Sequence, residues 1–233
     1  MNVLVVMMAG SGTRFGASIP KQYTYVDNKP IFLPIVEHYA NLHFIDAIFL
    51  VCSSGWIKKV KDWTSHIKKH IEYVEGGRTR SHSVKNALDA ISKIAHNSDV
   101  ILIHDATHPY LDVPAVVKVI EATKTYGSAT LASFGYDTVY QINEDGLVAS
   151  VLQRNLVING ASPEAFLFSV VYDLYKEKSD DYLEKMTSAG AMVLSSGKPI
   201  KFVNTELLNL KITFQRDFEL YQLLGEQYFY PRY

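Results

Sequence analysis

The chain has 233 residues, which predicts one or two domains at about 150 residues per domain. Hydrophobic residues make up 48% and charged residues 20%, and the formal net charge of −1 excludes a global positive field that would attract nucleic acid or an anionic membrane. The single cysteine, Cys52, excludes an intrachain disulfide. A lone cysteine suits a reducing compartment, so we expect a buried thiol and a cytoplasmic location. No membrane contact is expected, since no segment has the roughly 18 apolar residues of a membrane span.

Short apolar runs alternate with segments of helical spacing in the first part of the chain. The runs predict strands at Val3–Met7, Ile48–Val51, Ile71–Val74, Val100–Ile103 and Ala129–Ser133. The intervening segments predict helices at Pro30–Leu42, Trp56–Ile67, Ser83–Ile94 and Pro114–Tyr126, with Pro30 and Pro114 in the first turn. This alternation predicts an α/β fold with a Rossmann-like, mostly parallel sheet flanked by helices.

The alternation then breaks at a segment with a different period. Residues Thr138 to Leu152 alternate with period two around Glu144-Asp145-Gly146, which predicts a hairpin. Because this hairpin lies outside the β–α rhythm, we expect a projecting arm at about 137–160 of a single domain spanning 1–233. The residues alone leave open whether the arm pairs with another subunit or is an ordinary edge hairpin. The tail, Arg216–Tyr228, predicts a closing helix.

A glycine-rich loop, Ala9-Gly-Ser-Gly-Thr-Arg-Phe-Gly16, follows the first predicted strand. Backbone N–H groups of such a loop can surround phosphate oxygens at the end of a strand. No Lys-Ser or Lys-Thr follows, as a P-loop requires, and the third glycine comes one position too late for a dinucleotide fingerprint. Arg14 and Lys21 flank the loop, and two such cations beside a phosphate-binding loop favour a triphosphate ligand. The alternative is that both are ordinary solvated surface cations.

Several motifs resemble those of the methylerythritol phosphate and ribitol 5-phosphate cytidylyltransferases, in the same order and over nearly the whole chain. They are Ala9–Gly16, Pro20-Lys-Gln-Tyr23, Gly76-Gly-Arg-Thr-Arg-Ser-His-Ser-Val84, Ile103-His-Asp-Ala-Thr-His-Pro109, Arg154 with Ser162-Pro-Glu-Ala-Phe166, and Asn209-Leu-Lys-Ile-Thr213 with Asp217. The resemblance implies a nucleotidyltransferase fold similar to that of nucleotide-sugar glycosyltransferases. It also implies transfer of CMP from CTP to a polyol phosphate.

The resemblance assigns a nucleotide side to the site. Residues of the first loop would surround the phosphates and ribose of CTP: Met8, Ala9, Gly10 and Gly12. Gly77 and Ser83 would read the cytosine, and Asp105 would contact the ribose or Mg²⁺, the implied cofactor. From the residues alone, Asp105 could instead cap the next turn. Arg80 could equally pair with a carboxylate for structural reasons.

The resemblance also assigns three catalytic cations and an acceptor side. Arg14 and Lys21 would stabilise the charge of the pentacovalent state, and Lys211 would bridge both phosphates. The acceptor side would comprise Thr138, Arg154, His108, Ser162 and Asp180. In this family the arginine at the position of Arg154 comes from the arm of a partner subunit, which implies a homodimer.

The sequence departs from the family pattern mainly on the acceptor side. His108 stands where Arg is usual, Ser162 where Thr is usual, Glu164 where Gln is usual, and Asp180-Asp181 where Thr-Asp is common. These differences favour a polyol phosphate such as ribitol 5-phosphate slightly over 2-C-methyl-D-erythritol 4-phosphate, which is the alternative acceptor.

Two other functions compete with these. A sugar-nucleotide glycosyltransferase would need a second acid near Asp105, and Asp105-Ala-Thr107 lacks it. An inactive nucleotide-binding homologue is disfavoured because Arg14, Lys21 and Lys211 are all present.

Overall fold

The computed structural model describes residues 1–10, 12 and 19–230. Its first half contains these elements: β1 (Asn2–Met8), β2 (Tyr25–Val26), β3 (Lys29–Pro30), α1 (Phe32–Ala40), β4 (Ala47–Cys52), α2 (Ile57–Trp63), β5 (Ile71–Glu75), α3 (Arg80–Ile91), β6 (Val100–Asp105) and α4 (Val113–Tyr126). Its second half contains β7 (Ser128–Phe134), β8 (Tyr140–Ile142), β9 (Val148–Val151), β10 (Ile158–Leu167), α5 (Phe168–Lys176), α6 (Asp180–Lys185), α7 (Ala189–Ser195), β11 (Lys201–Asn204), α8 (Gln215–Leu224) and α9 (Glu226–Phe229).

The central sheet has seven strands in the order β11-β7-β10-β6-β1-β4-β5. Six of them run in one direction, and only β10 is antiparallel to its two neighbours. The carboxyl ends of β1, β4, β5 and β6 therefore lie at the same edge of the sheet. In open α/β sheets this edge is where ligands bind.

Both faces of the sheet are covered, which explains the continuous apolar runs of β1, β4 and β6. In β1, Leu4 and Val6 pack into the core on one face, while Val3 and Val5 pack into the core on the other. Successive side chains of a strand point to opposite faces, so an uninterrupted apolar run indicates burial on both sides. The predicted α/β class with a mostly parallel sheet and flanking helices is confirmed.

Capping residues define the ends of α3 and α4. The side chain of Thr79 accepts a hydrogen bond from the backbone N–H of His82 and caps α3. Asp112 caps α4 in the same way, Pro114 occupies its first turn as predicted, and Gly127 ends it with a φ of 83°.

The predicted helices Trp56–Ile67 and Ser83–Ile94 are present as α2 and α3 with ends shifted by up to four residues, and two further boundary predictions are wrong. Pro30 does not begin a helix: it belongs to β3, which pairs with β2 through a turn at Asp27 and Asn28, and α1 begins at Phe32. The predicted closing helix Arg216–Tyr228 is two helices, because Gly225 adopts a φ of 74° between α8 and α9.

The predicted hairpin is present as β8 and β9, which pair with each other and apart from the central sheet. Every residue of both strands is exposed. Cys52 is buried as expected, and burial raises its pKa to about 12. Among the described residues, no helix is long and apolar enough to cross a membrane.

Candidate active site

A cavity of about 380 Å³ opens at the carboxyl edge of the sheet. The predicted nucleotide-side residues all line it, together with one predicted catalytic lysine: Met8, Ala9, Gly10, Gly12, Gly77, Ser83, Asp105 and Lys21. Further lining residues had no assigned role in the sequence: Met7, Gln22, Arg78, Thr79, Arg80 and Thr107. The cavity therefore combines the first loop, the start of α3 and the end of β6.

Side chains from outside the first loop hold its carbonyl groups. The Gln22 amide donates to the carbonyl oxygens of Met8, at 2.7 Å, and Gly10, at 2.9 Å. The Ser53 hydroxyl donates to the carbonyl oxygen of Ala9 at 3.0 Å. Three successive carbonyl dipoles are thereby engaged by protein donors, which reduces their repulsion toward an anion in the cavity.

The turn between β5 and α3 forms the opposite wall and has little room for side chains. A Cβ added to Gly76 would lie 2.2 Å from the Cβ of Ala9, and one added to Gly77 would lie 2.4 Å from the Cβ of His82. The Ser83 hydroxyl accepts from the Gly77 N–H at 3.0 Å and donates to the Thr79 carbonyl at 2.9 Å. The glycine at 76 thus allows the two walls to approach each other closely, and the glycine at 77 allows the turn to pack against the start of α3.

The two predicted catalytic lysines that the structure describes are linked through one backbone segment, residues 211–212. The Lys21 ammonium donates to the carbonyl oxygen of Ile212 at 2.5 Å, and Ile212 is the chain neighbour of Lys211. The Lys211 ammonium lies 2.9 Å from Asp105 Oδ2. Lys211 is not among the residues that line the cavity, but it contacts Asp105, which is. Arg14, the third predicted cation, lies outside the described residues.

Asp105 is held by two cations on separate carboxylate oxygens. Arg80 donates to Oδ1 through Nη2, at 2.9 Å, and Nε, at 3.3 Å, while Lys211 contacts Oδ2. Although burial alone would raise the pKa of Asp105, the charges of Arg80 and Lys211 hold that pKa well below the usual carboxyl range. Asp105 is therefore an ionised carboxylate at neutral pH.

Arg80 also faces a second carboxylate, Glu164 of β10. Glu164 Oε2 lies 4.0 Å from Arg80 Nη2, and Glu164 Oε1 accepts from the Gly190 N–H at 3.2 Å. Glu164 Oε2 and Arg80 Nη1 are buried and have no hydrogen-bond partner within the described part of the chain. Burial raises the pKa of Glu164, and the charge of Arg80 offsets only part of this effect.

His108 and Ser162 hold the backbone of Asp105 and lie outside the set of residues that line the cavity. The backbone N–H of His108 donates to the Asp105 carbonyl at 2.9 Å, and Ser162 Oγ accepts from the backbone N–H of Asp105 at 3.3 Å. His108 Nδ1 lies 2.5 Å from Ser162 Oγ. Burial lowers the pKa of His108 to about 3, and the Asp105 carboxylate opposes this only in part. His108 is therefore neutral at neutral pH and does not replace the charge of the usual arginine.

The remaining predicted acceptor residues do not line this cavity. Thr138 and Arg154 are exposed at the arm, where Arg154 Nη1 donates to the Tyr136 carbonyl at 3.0 Å. Asp180 begins α6, is 71% exposed, and lies 3.4 Å from a guanidinium nitrogen of Arg78. The acceptor roles of these three residues stay predictions.

Asp105 is the predicted metal ligand. Among the described residues, no group of three or more His, Cys, Asp and Glu side chains could hold a metal ion. Mg²⁺ is commonly bound through one or two carboxylates plus substrate phosphates. Asp105 fits such a shared site because its Oδ2 contacts Lys211, whose side chain is 48% exposed and can move away.

Sequence reasoning left the role of Arg80 open and gave none to Gln22 or Thr107. Gln22 belongs to the Pro20–Tyr23 motif, so its place beside Lys21 was a usable signal. The contact of Arg80 with Asp105 had no local signal, because 25 positions separate the two residues.

The fold and the site define an α/β nucleotidyltransferase. Residues 2–226 match the family described as 2-C-methyl-D-erythritol 4-phosphate cytidylyltransferase, and the chain belongs to that family. A curated enzyme of this name from Thermotoga neapolitana is 31% identical over 228 residues, covering 98% of both chains.

Solved structures agree with this assignment. The structure of 4-diphosphocytidyl-2C-methyl-D-erythritol synthase from Anaerococcus prevotii superposes with a TM-score of 0.80 at 26% identity, covering 95% of this chain and 96% of that one. The 2-C-methyl-D-erythritol 4-phosphate cytidylyltransferase from Francisella tularensis gives a TM-score of 0.77 at 25% identity, covering 94% and 97%. The expected resemblance to cytidylyltransferases is confirmed.

Proposed function

We propose that this protein transfers CMP from CTP to 2-C-methyl-D-erythritol 4-phosphate and releases pyrophosphate. The observation that carries the proposal is the match to relatives of that name across almost the full length of both chains. Sequence analysis ranked this acceptor second, after ribitol 5-phosphate. The match to these relatives supports it over ribitol 5-phosphate. The cavity supports the same reaction class through its glycine loop and adjoining lysines.

The reaction joins two anions, so their repulsion must be reduced before they can react. An oxygen of the acceptor phosphate attacks the α-phosphorus of CTP, a new P–O bond forms, and the bond to the β-phosphate breaks. Lys21 and Lys211 supply positive charge on neighbouring parts of the site. Positive charges beside the reacting phosphates stabilise the negative charge of the transition state, and the bound geometry replaces a bimolecular encounter. The acceptor phosphate is already ionised and needs no general base.

On the nucleotide side, the loop Met8–Gly10 and Gly12 would surround the triphosphate and ribose. Gly77 and Ser83 would contact the cytosine, and their mutual hydrogen bond holds the hydroxyl in place before the base enters. Mg²⁺, which would be bound through Asp105 and phosphate oxygens, supplies further charge neutralisation when present. Arg14 would add a bidentate phosphate contact.

On the acceptor side, Thr138 and Arg154 would act on the cavity of a second subunit. The support is their position on an exposed arm, apart from the cavity of their own chain. The arm also exposes apolar side chains, with Leu147 66% and Val148 62% exposed, which suits a homodimer contact. Because His108 is neutral, Lys211 and the partner's Arg154 would carry the charge that binds the acceptor phosphate.

The acceptor is tested by measuring pyrophosphate release with CTP and Mg²⁺ in parallel reactions. One contains 2-C-methyl-D-erythritol 4-phosphate, another contains ribitol 5-phosphate, and a third has no acceptor. The proposal expects the highest kcat/KM with the first acceptor. Faster turnover with ribitol 5-phosphate would overturn the choice of acceptor while leaving cytidylyl transfer intact.

The arm is tested by mixing two impaired variants, Lys21→Met and Arg154→Ala, under conditions that exchange subunits, with the acceptor well below its KM so that the loss in Arg154→Ala is visible. If Arg154 acts across the dimer, each mixed dimer contains one intact site, built from Lys21 of one subunit and Arg154 of the other. Activity of the mixture should then exceed that of Arg154→Ala, the more active of the two variants, whereas without complementation it should fall below it. No rise, despite mixed dimers detected by native mass spectrometry, would place Arg154 in its own subunit's site or outside the mechanism.

A further inference from the structure

A line of alternating charges runs from the cavity into the protein. Lys211 contacts Asp105, Asp105 contacts Arg80, and Arg80 faces Glu164. The exposure of the two cations differs: the side chain of Lys211 is 48% exposed, whereas that of Arg80 is 31% exposed. The two cations beside Asp105 are therefore not equivalent.

Arg80 is built into its position. It is the first residue of α3, and two of its nitrogens donate to the same oxygen of Asp105, Oδ1. On its other side lies Glu164, which is itself tied to the backbone of Gly190. A guanidinium held between two carboxylates is a fixed counter-ion.

Lys211 has the opposite character. It makes a single contact to Asp105, through Oδ2, and its flexible side chain is half exposed. Under the proposed function, Lys211 must leave Asp105 to reach the phosphates. Removing both counter-ions from a buried carboxylate would be costly, but Arg80 remains when Lys211 departs.

We infer that Arg80 is a positioning residue that anchors Asp105 through Oδ1, so that Oδ2 can exchange Lys211 for another cation when the substrates bind. This inference rests on the proposed function for the departure of Lys211. It adds to that function a distinction between Arg80, a permanent counter-ion of Asp105, and Lys211, an exchangeable one. Arg80 itself need not contact either substrate.

The test compares Arg80→Met and Arg80→Lys with the wild-type enzyme. Arg216→Met is the matched control, because the side chain of Arg216 is 81% exposed and contacts its neighbour Asp217. Turnover is followed by pyrophosphate release. In addition, the whole folded protein is acetylated in the absence of ligands. It is then digested, and the rate of acetylation of Lys211 is measured by mass spectrometry of the peptides.

Arg80→Met should lower kcat/KM by about 10- to 100-fold, as is common when the support of a functional carboxylate is removed. Arg80→Lys should give an intermediate loss, and Arg216→Met should stay close to wild type. Lys211 should be acetylated more slowly in Arg80→Met, because it becomes the main counter-ion of Asp105. A general loosening of the fold would instead accelerate acetylation.

The inference is overturned if Arg80→Met keeps wild-type turnover, or if Lys211 is acetylated at an equal or higher rate in that variant. If Arg80→Met does not fold, Arg80→Lys decides the question by the same two measurements. A lysine there makes fewer contacts to Oδ1, so slower acetylation of Lys211 is again expected. Absence of turnover in the wild-type enzyme would overturn the proposed function, whereas the acetylation comparison would still test Arg80.

Discussion

Replacing Lys21 with methionine should separate catalysis from folding. The substitution keeps most of the side-chain volume and removes the ammonium that bonds to the Ile212 carbonyl at 2.5 Å. Loss of one charge partner of the transition state typically lowers kcat by about 10²- to 10³-fold, or roughly 3–4 kcal/mol in the barrier. Loss of the hydrogen bond should lower the free energy of unfolding by only about 1–3 kcal/mol.

Lys69 provides a matched control for this experiment. Its ammonium donates to two carbonyl oxygens, those of Leu42 at 2.6 Å and Ile45 at 2.5 Å, near the amino ends of β4 and β5. That edge of the sheet lies opposite the cavity. Lys69→Met should therefore destabilise the protein at least as much as Lys21→Met, with kcat unchanged.

The assay is steady-state formation of pyrophosphate at saturating CTP and acceptor, with urea unfolding of each variant in parallel. The expected pattern is a large loss of kcat in Lys21→Met alone and a comparable loss of stability in both variants. Near-normal kcat in Lys21→Met would refute the role of Lys21. Equal losses of kcat in the two variants would show that the effect arises from destabilisation.

Three further predictions follow from individual contacts. Gly77→Ala should weaken CTP binding by roughly tenfold or more in calorimetry, because the new Cβ would lie 2.4 Å from the Cβ of His82 and displace the start of α3; Gly55→Ala, with nothing within 4 Å, should have no such effect. His108→Asn should flatten the pH dependence of stability below about pH 6.5, since the unfolded histidine binds a proton there while the folded one, with a pKa of about 3, does not. In the wild type this histidine alone should remove roughly 1–2 kcal/mol of stability per unit fall in pH over that window, and an unchanged slope in the variant would contradict its buried neutral state. Arg154→Ala should raise the KM for the acceptor about tenfold and leave that for CTP unchanged; the reverse pattern would place Arg154 on the nucleotide side.

Three of the strands that the sequence predicted, β1, β4 and β6, share continuous apolar character caused by burial on both faces. β10 was not predicted, although it lies between β6 and β7 near the centre of the sheet. Its segment includes Gly160 and Pro163, which argue locally against a strand, and its partial burial against two neighbours depends on the tertiary fold. β11 has only four residues and gives too short a pattern to detect.

The site shows the same division between local and long-range information. The loop at Gly10 and Gly12 was predicted because neighbouring residues in the sequence form it. The contact between Arg80 and Glu164 spans 84 positions and leaves no periodic signal. The charge of His108 also could not be predicted, because its usual pKa near 6.5 permits either state and only burial decides between them.

The central claim is that CTP binds in the cavity at the carboxyl edge of the sheet, with its triphosphate beside Lys21 and Lys211. The most direct test is a crystal structure of the protein with Mg²⁺ and a CTP analogue that cannot be cleaved at the α-phosphate. We predict that phosphate oxygens lie within hydrogen-bonding distance of Lys21 and the backbone of Gly10, and that cytosine lies against Gly77. Density for the triphosphate at any other surface, with this cavity empty, would contradict the claim.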